Sequence, residues 1–275
     1  MFWRRFREKK LRMIWRVTKD SRTSFLVGTA HFSLYSFRNC LTELLKHSEC
    51  AIFEGPLDPA SMDKVVAAGK LADGTGGILD YLDEDTLRTI ANVIDVGGPS
   101  HRSLLGIGVP IPAAHASLAQ TLSGMKPWMA FFGIYSAFLR EKGWKHSVDL
   151  EAFEIATELG KNVVFMETIE EQVEALESVP WEQMADFLKR ISSWDKYTRD
   201  FMRWYLDGAL AKIARNPYGF PTRTPRIIGR RDEVFCERMA PYLERGSAAV
   251  FVGIPHVVGI GRILGQAGYV VQQIE

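Results

Sequence analysis

An α/β fold is what this sequence predicts: a central mixed, partly parallel β-sheet flanked by helices, with a helical cap insertion. Three observations carry that prediction. Short runs rich in β-branched and aromatic residues alternate with stretches of helical periodicity, the pattern of a sheet with helices outside it. The intervening helices can serve as the crossovers that parallel neighbours require. From about residue 57 to 146 no strand pattern is found, and the sequence is helix-like with many breakers, among them Gly69, Gly74, Gly76, Gly77, Gly97-Gly98-Pro99, Pro110 and Pro112.

The elements follow in order. Ser24-Phe-Leu-Val-Gly28 is a short β-rich run followed by the turn-like Gly28-Thr-Ala-His31. Ser36 to Ser48 reads as a helix with Phe37, Cys40, Leu41, Leu44 and Leu45 on one face. Cys50-Ala-Ile-Phe53 is the next strand, and Pro56 prevents its continuation. The apolar run Pro127–Leu139 is too short to cross a bilayer and predicts a buried helix or a pocket wall. A helix over Leu150–Leu159 ends at Gly160, and a strand over Asn162–Met166 follows. Helical spacing from Trp181 to about Leu206 puts Met184, Phe187, Leu188, Ile191, Trp194, Phe201 and Tyr205 in the core. A Pro- and Arg-rich connection is expected over 217–231, then a helix from Asp232 to Leu243. The last unit is a strand over Ala248–Gly253, a helix over Ile260–Ala267 and a closing strand over Tyr269–Gln273.

Composition limits the function classes. The chain has 275 residues, 47% hydrophobic and 24% charged, with a formal net charge of +1. That is enough chain for one large core, and the balance gives no argument for nucleic acid as a partner. Cys40, Cys50 and Cys236 lack both a disulfide framework and metal-finger spacing, which fits a reducing, cytoplasmic compartment. Residues 1–20 read as a basic arm, since residues 1–19 hold eight basic side chains against Glu8, and residues 21–275 as one domain. No secretory signal or spanning helix is read from the chain. The arm's interspersed Phe2, Trp3, Phe6, Leu11, Ile14 and Trp15 are compatible either with packing on its own domain or with peripheral contact on an anionic membrane.

The chemistry begins with an internal echo. Phe25-Leu-Val-Gly-Thr-Ala-His31 and Phe251-Val-Gly-Ile-Pro-His256 each place Gly-x-x-His after an apolar strand, in a chain with six histidines. Glycine would allow a sharp exit from the sheet, and the histidine would face the carboxyl edge, where open α/β sheets hold ligands. Glu54 and Glu167 end two other strands. With those strands adjacent, His31, Glu54, Glu167 and His256 would share one cleft. Two imidazoles with carboxylates suit a divalent ion such as zinc, manganese or cobalt, which would activate water and polarise a carbonyl. The alternative needs no metal: one histidine paired with a carboxylate serves as general base. Asp149 reads as an N-cap or as a site carboxylate, and Ser33 as a supporting residue. Arg230 and Arg231 read as an anion clamp or a charge-balanced pair, while His101, His115 and His146 read as structural or surface groups. There is no Walker A, no His-Glu-x-x-His and no Gly-x-Ser-x-Gly.

Taken together these motifs resemble the TraB/PrgY/GumN family, to which the TIKI proteases are related. The resemblance rests on Gly28-Thr-Ala-His31 after Trp15-Arg-Val, on Glu54, on Val148-Asp149 with Met166-Glu167-Thr168 and Glu171-Gln172, and on Val252-Gly-Ile-Pro-His256 with Gly259, Leu264 and Gly268-Tyr269-Val270. It spans residues 14 to 272. Arg231-Asp232 departs from the Arg-Asn often found there. The resemblance implies a fold shared with erythromycin-esterase-like and ChaN-like proteins, and a site with two Gly-x-x-His motifs and a glutamate. The TIKI relatives are metal-dependent peptidases, and regulatory members are linked to peptide pheromones. The expected function is therefore that of a metal-dependent hydrolase, foremost a peptidase, with a peptide or small-molecule substrate. His31, Glu54 and His256 would hold the ion, Glu167 would complete its shell or act as base, and Arg231 would orient the substrate. A histidine-based esterase or amidase, or a non-catalytic binding protein for a peptide or small ligand, is the alternative.

Overall fold

The computed structural model describes residues 9–72, 77–94 and 118–274. Six strands form one sheet: β1 (Ile14–Lys19), β2 (Arg22–Thr29), β3 (Cys50–Phe53), β4 (Asn162–Phe165), β5 (Ala248–Gly253) and β6 (Val270–Gln273), in the order β4-β3-β5-β2-β1-β6. β2, β3, β4 and β5 run parallel, and β1 is antiparallel to both its neighbours. The sheet is thus mixed and partly parallel. Every residue of β3 and β5 is buried, as expected of central parallel strands covered on both faces.

Around the sheet lie twelve helices among the described residues. The first six are α1 (Arg38–Lys46), α2 (Pro59–Ala68), α3 (Glu84–Val93), α4 (Leu118–Ser123), α5 (Pro127–Glu141) and α6 (Val148–Glu158). The others are α7 (Ile169–Glu177), α8 (Trp181–Leu188), α9 (Trp194–Leu206), α10 (Leu210–Ala214), α11 (Pro225–Leu243) and α12 (Val257–Gln266). The apolar run 127–139 is α5, and twelve of its fifteen residues are buried. The aromatic stripe of α8 and α9 is core as expected, with Phe187, Trp194 and Tyr205 each 2% exposed or less.

Two sequence expectations need correction. Residues 14–19, read from their charges as the end of an arm, form β1. Ile14, Trp15 and Val17 are buried while Arg16 is exposed, and the strand is paired on both sides. A two-residue turn joins it to β2, with Asp20 at φ 55°, a conformation that short polar residues tolerate. Second, the connection assigned to 217–231 ends early. Thr224 caps α11 by accepting from the Ile227 amide, and Pro225 sits in the first turn, where its missing N–H costs nothing. Arg230, Arg231 and Asp232 are therefore helical. Residues 1–8 of the basic arm, Gly74, Gly76, Gly97-Gly98-Pro99, His101, Pro110, Pro112 and His115 lie outside the described residues.

Candidate active site

The parallel strands bring four predicted residues to one edge. Thr29 pairs with Gly253, Phe53 with Phe251 and Phe165 with Phe53. His31, His256, Glu54 and Glu167 follow those strand ends directly. The exits are tied together as well: the Glu167 amide donates to the Glu54 carbonyl at 2.7 Å.

Glycine in the two Gly-x-x-His motifs acts through close packing. Neither Gly28 nor Gly253 is in the left-handed region. A side chain on Gly28 would collide with Ile254, which leads into His256. The Gly253 N–H donates to Glu54 Oε1 at 2.6 Å. One motif therefore seats the other, and the second holds the glutamate.

Arg231 occupies the centre. Its Nε donates to Glu167 Oε2 at 3.1 Å, and Nη2 donates to Glu167 Oε1 at 2.5 Å and to Glu54 Oε2 at 2.9 Å. Its Nη1 donates to His256 Nε2 at 3.3 Å. Phe235, one turn along α11, lies beneath the guanidinium at 5.1 Å. Four of the five guanidinium N–H groups are engaged, which leaves one on Nη1.

His31 and His256 each have an aspartate behind them; the sequence leaves Asp149 open as a site carboxylate, whereas it does not mark Asp232 as a histidine partner. Asp149 Oδ2 lies 2.5 Å from His31 Nδ1, and the Ser147 hydroxyl donates to Asp149 Oδ1. Ser147, not Asp149, caps α6. A short ladder of Ser33 with His146, and the Val148 amide on the Ala30 carbonyl, brings that helix start to His31. Asp232 Oδ1 lies 2.6 Å from His256 Nδ1. Acceptor aspartates at both Nδ1 atoms assign the proton there and leave each Nε2 as a lone pair. In His256 that lone pair faces Arg231. In His31 it has no protein partner among the described residues. The His31 side chain is 38% exposed, against 6% for His256.

Electrostatics follow from this placement. Burial alone lowers the His31 pKa, but the charge and hydrogen bond of Asp149 outweigh it, and the net shift is upward. Burial opposes ionisation of Glu54, yet Arg231, the two histidines and the Gly253 amide hold its carboxyl below the usual range. Glu167 goes the other way: burial raises it, and the neighbouring Glu54 charge adds to that despite Arg231. Burial also raises Asp232 over the effect of His256, whereas Asp149 is held low by His31 and Ser147.

His31, Glu54, Arg231 and His256 line one cavity of about 180 Å³. Phe132, Tyr135 and Ser136 of α5 supply part of its wall, while Trp128 of the same run is core. Leu176, Phe201, Phe220 and Ile228 add apolar surface. Arg230 is exposed, His146 pairs with Glu151 at 3.1 Å, and the Ser33 hydroxyl donates to the Tyr35 carbonyl. None of these three lines the cavity.

A divalent ion needs donor lone pairs converging on one point. Here both Nδ1 atoms face aspartates, both glutamates grip Arg231, and His256 Nε2 accepts from the same guanidinium. Among the described residues no three His, Cys, Asp or Glu side chains are grouped to hold a metal ion. As arranged, the donors fit the Arg231 guanidinium rather than the expected metal. No described helix is long and apolar enough to cross a membrane.

Residues 13–273 match the family model described as TraB/PrgY/gumN family. No curated protein matches the chain.

Proposed function

The chain belongs to the TraB/PrgY/gumN family, and on that premise we propose that it is a hydrolase of neutral acyl bonds, a peptide amide or an ester, with His31 as general base. The observation that supports this reading is the state of His31. Its Nδ1 is committed to Asp149, and its Nε2 has no protein partner among the described residues and opens on a cavity lined largely by apolar groups.

A water hydrogen-bonded to His31 Nε2 would lose a proton to it while its oxygen attacks the carbonyl carbon. Asp149 stabilises the imidazolium that forms and fixes the ring. The remaining Arg231 N–H stabilises the developing oxyanion. His31 then returns the proton to the leaving nitrogen or oxygen as the C–N or C–O bond breaks, giving an acid and an amine or alcohol. Glu54, Glu167 and His256 serve as positioning residues that orient Arg231. A metal-dependent peptidase would use the same edge of the sheet, but Arg231 would first have to leave both glutamates.

The test is hydrolysis of a panel of apolar peptides and esters, neutral at the bond cleaved and carrying either a free or a capped C-terminal carboxylate, by chelator-treated protein. Turnover that persists after chelation and is lost in His31→Ala supports the proposal. Turnover that requires added manganese, cobalt or zinc, activity retained by His31→Ala, or no turnover of any panel member would overturn it.

A further inference from the structure

A second guanidinium lines the cavity and has no role in the chemistry above. Arg223 stacks over Phe201 at 4.9 Å and Phe220 at 5.2 Å, both of which line the cavity with it. Its side chain makes no hydrogen bond and no ion pair among the described residues. Arg231 instead has four of its five N–H groups engaged by two glutamates and a histidine. Glu54 is the one acidic residue on the described cavity wall, and it is taken by Arg231.

The charge balance gives the cavity two different ends. At the sheet edge Glu54 and Glu167 lie on Arg231, and Asp149 and Asp232 on the histidines, so a resident ligand carboxylate is disfavoured there, whereas the one remaining Arg231 N–H serves only the transient oxyanion. Arg223 lies just before the start of α11, whereas Arg231 is two turns into it. The helix rise separates the two by about 10 Å. Ile227 and Ile228 line the wall between them. The cavity is slightly larger than the ~150 Å³ that accepts benzene, so one aromatic ring or branched aliphatic group fills it.

We propose that Arg223 binds the carboxylate of a ligand whose apolar body fills the cavity, making it the residue that selects acidic over neutral ligands. Planar guanidinium donors suit a carboxylate, and the aromatic faces that hold Arg223 keep its fork preorganised. The proposal rests on this cavity being the substrate site, as in the hydrolase reading. Its substrate is then neutral at the bond cleaved and anionic at the other end, such as a short apolar peptide with a free C-terminus.

The probe is 4-phenylbutyrate against 4-phenylbutyramide, measured by titration calorimetry on the full chain. Neither is asked to react, so the result is separate from whether the chain hydrolyses anything. The acid is expected to bind roughly tenfold tighter than the amide, as a charge-assisted hydrogen-bonded pair implies. Arg223→Gln should bring the acid to the level of the amide and leave the amide unchanged. Equal affinity of acid and amide in the wild-type chain, no binding of either, or an acid preference that survives Arg223→Gln would overturn the proposal. If Arg223→Gln loses its fold, Arg223→Lys decides. A reduced acid preference supports the role of the fork, and an undiminished one contradicts it.

Discussion

Gly259 of α12 stands directly against the carboxylate of Asp232 on α11. A Cβ built on Gly259 would overlap Asp232 Oδ2, so the absence of a side chain there lets Asp232 reach His256. Two helices can approach this closely only where one of them carries glycine. Gly259→Ala should therefore cost about 1–3 kcal/mol in overpacking. It should also displace Asp232, so that the His256 imidazole loses its fixed tautomer. Urea denaturation and the His256 ring resonances would register the two effects separately. A variant with unchanged stability and unchanged His256 signals would contradict the packing described here.

Arg231 is the shared counter-ion of two carboxylates, with Glu167 4% and Glu54 15% exposed at the side chain. Removing it strands both. Arg231→Gln is expected to destabilise the fold by about 3 kcal/mol, because breaking a buried pair leaves uncompensated charge. Adding Glu54→Gln and Glu167→Gln to that variant should recover much of the loss, although the site would be inactive. Denaturant midpoints of the single and triple variants measure this. Additive losses across the three substitutions would argue against a coupled network.

The raised pKa of His31 has a direct consequence for pH. Only the neutral imidazole accepts a proton, so kcat/KM should rise with pH through a value above the ordinary 6.5 and then level off. Asp149→Asn removes the charge that raises His31, and the rise should move toward acid. The rate on the plateau should fall roughly a thousandfold, because an amide can hold the wrong tautomer. An unmoved pH profile in Asp149→Asn would mean that Asp149 does not support the base.

Much of the fold was legible because parallel central strands write themselves as short apolar runs. Cys50–Phe53 and Ala248–Gly253 are examples. β1 was hidden by its basic residues: Arg16 and Lys19 on its alternating pattern resemble the charge run that precedes them. In the site, His31, Glu54, Glu167 and His256 were legible because each follows a strand end, and strand ends of a parallel sheet share an edge. Asp149 and Asp232 were harder to place. Both lie inside the first turns of helices or beyond, and their pairing with histidines 118 and 24 residues away depends on how α6 and α11 pack. The one signal available for Asp232 was its departure from Arg-Asn, which reads as a lost amide rather than as a gained imidazole partner. The grip of Arg231 on both glutamates likewise depends on α11 starting at Pro225, a start marked in the sequence by Thr224-Pro225.

The central claim is that His31 presents a neutral Nε2 to the cavity while Asp149 holds the proton on Nδ1. The most direct measurement is a ¹⁵N titration of the His31 imidazole, assigned with His31→Gln. The expected result is an Nδ1-protonated neutral tautomer with a pKa above 6.5 that falls in Asp149→Asn. An Nε2-protonated tautomer, or a pKa unaffected by Asp149→Asn, would contradict the account.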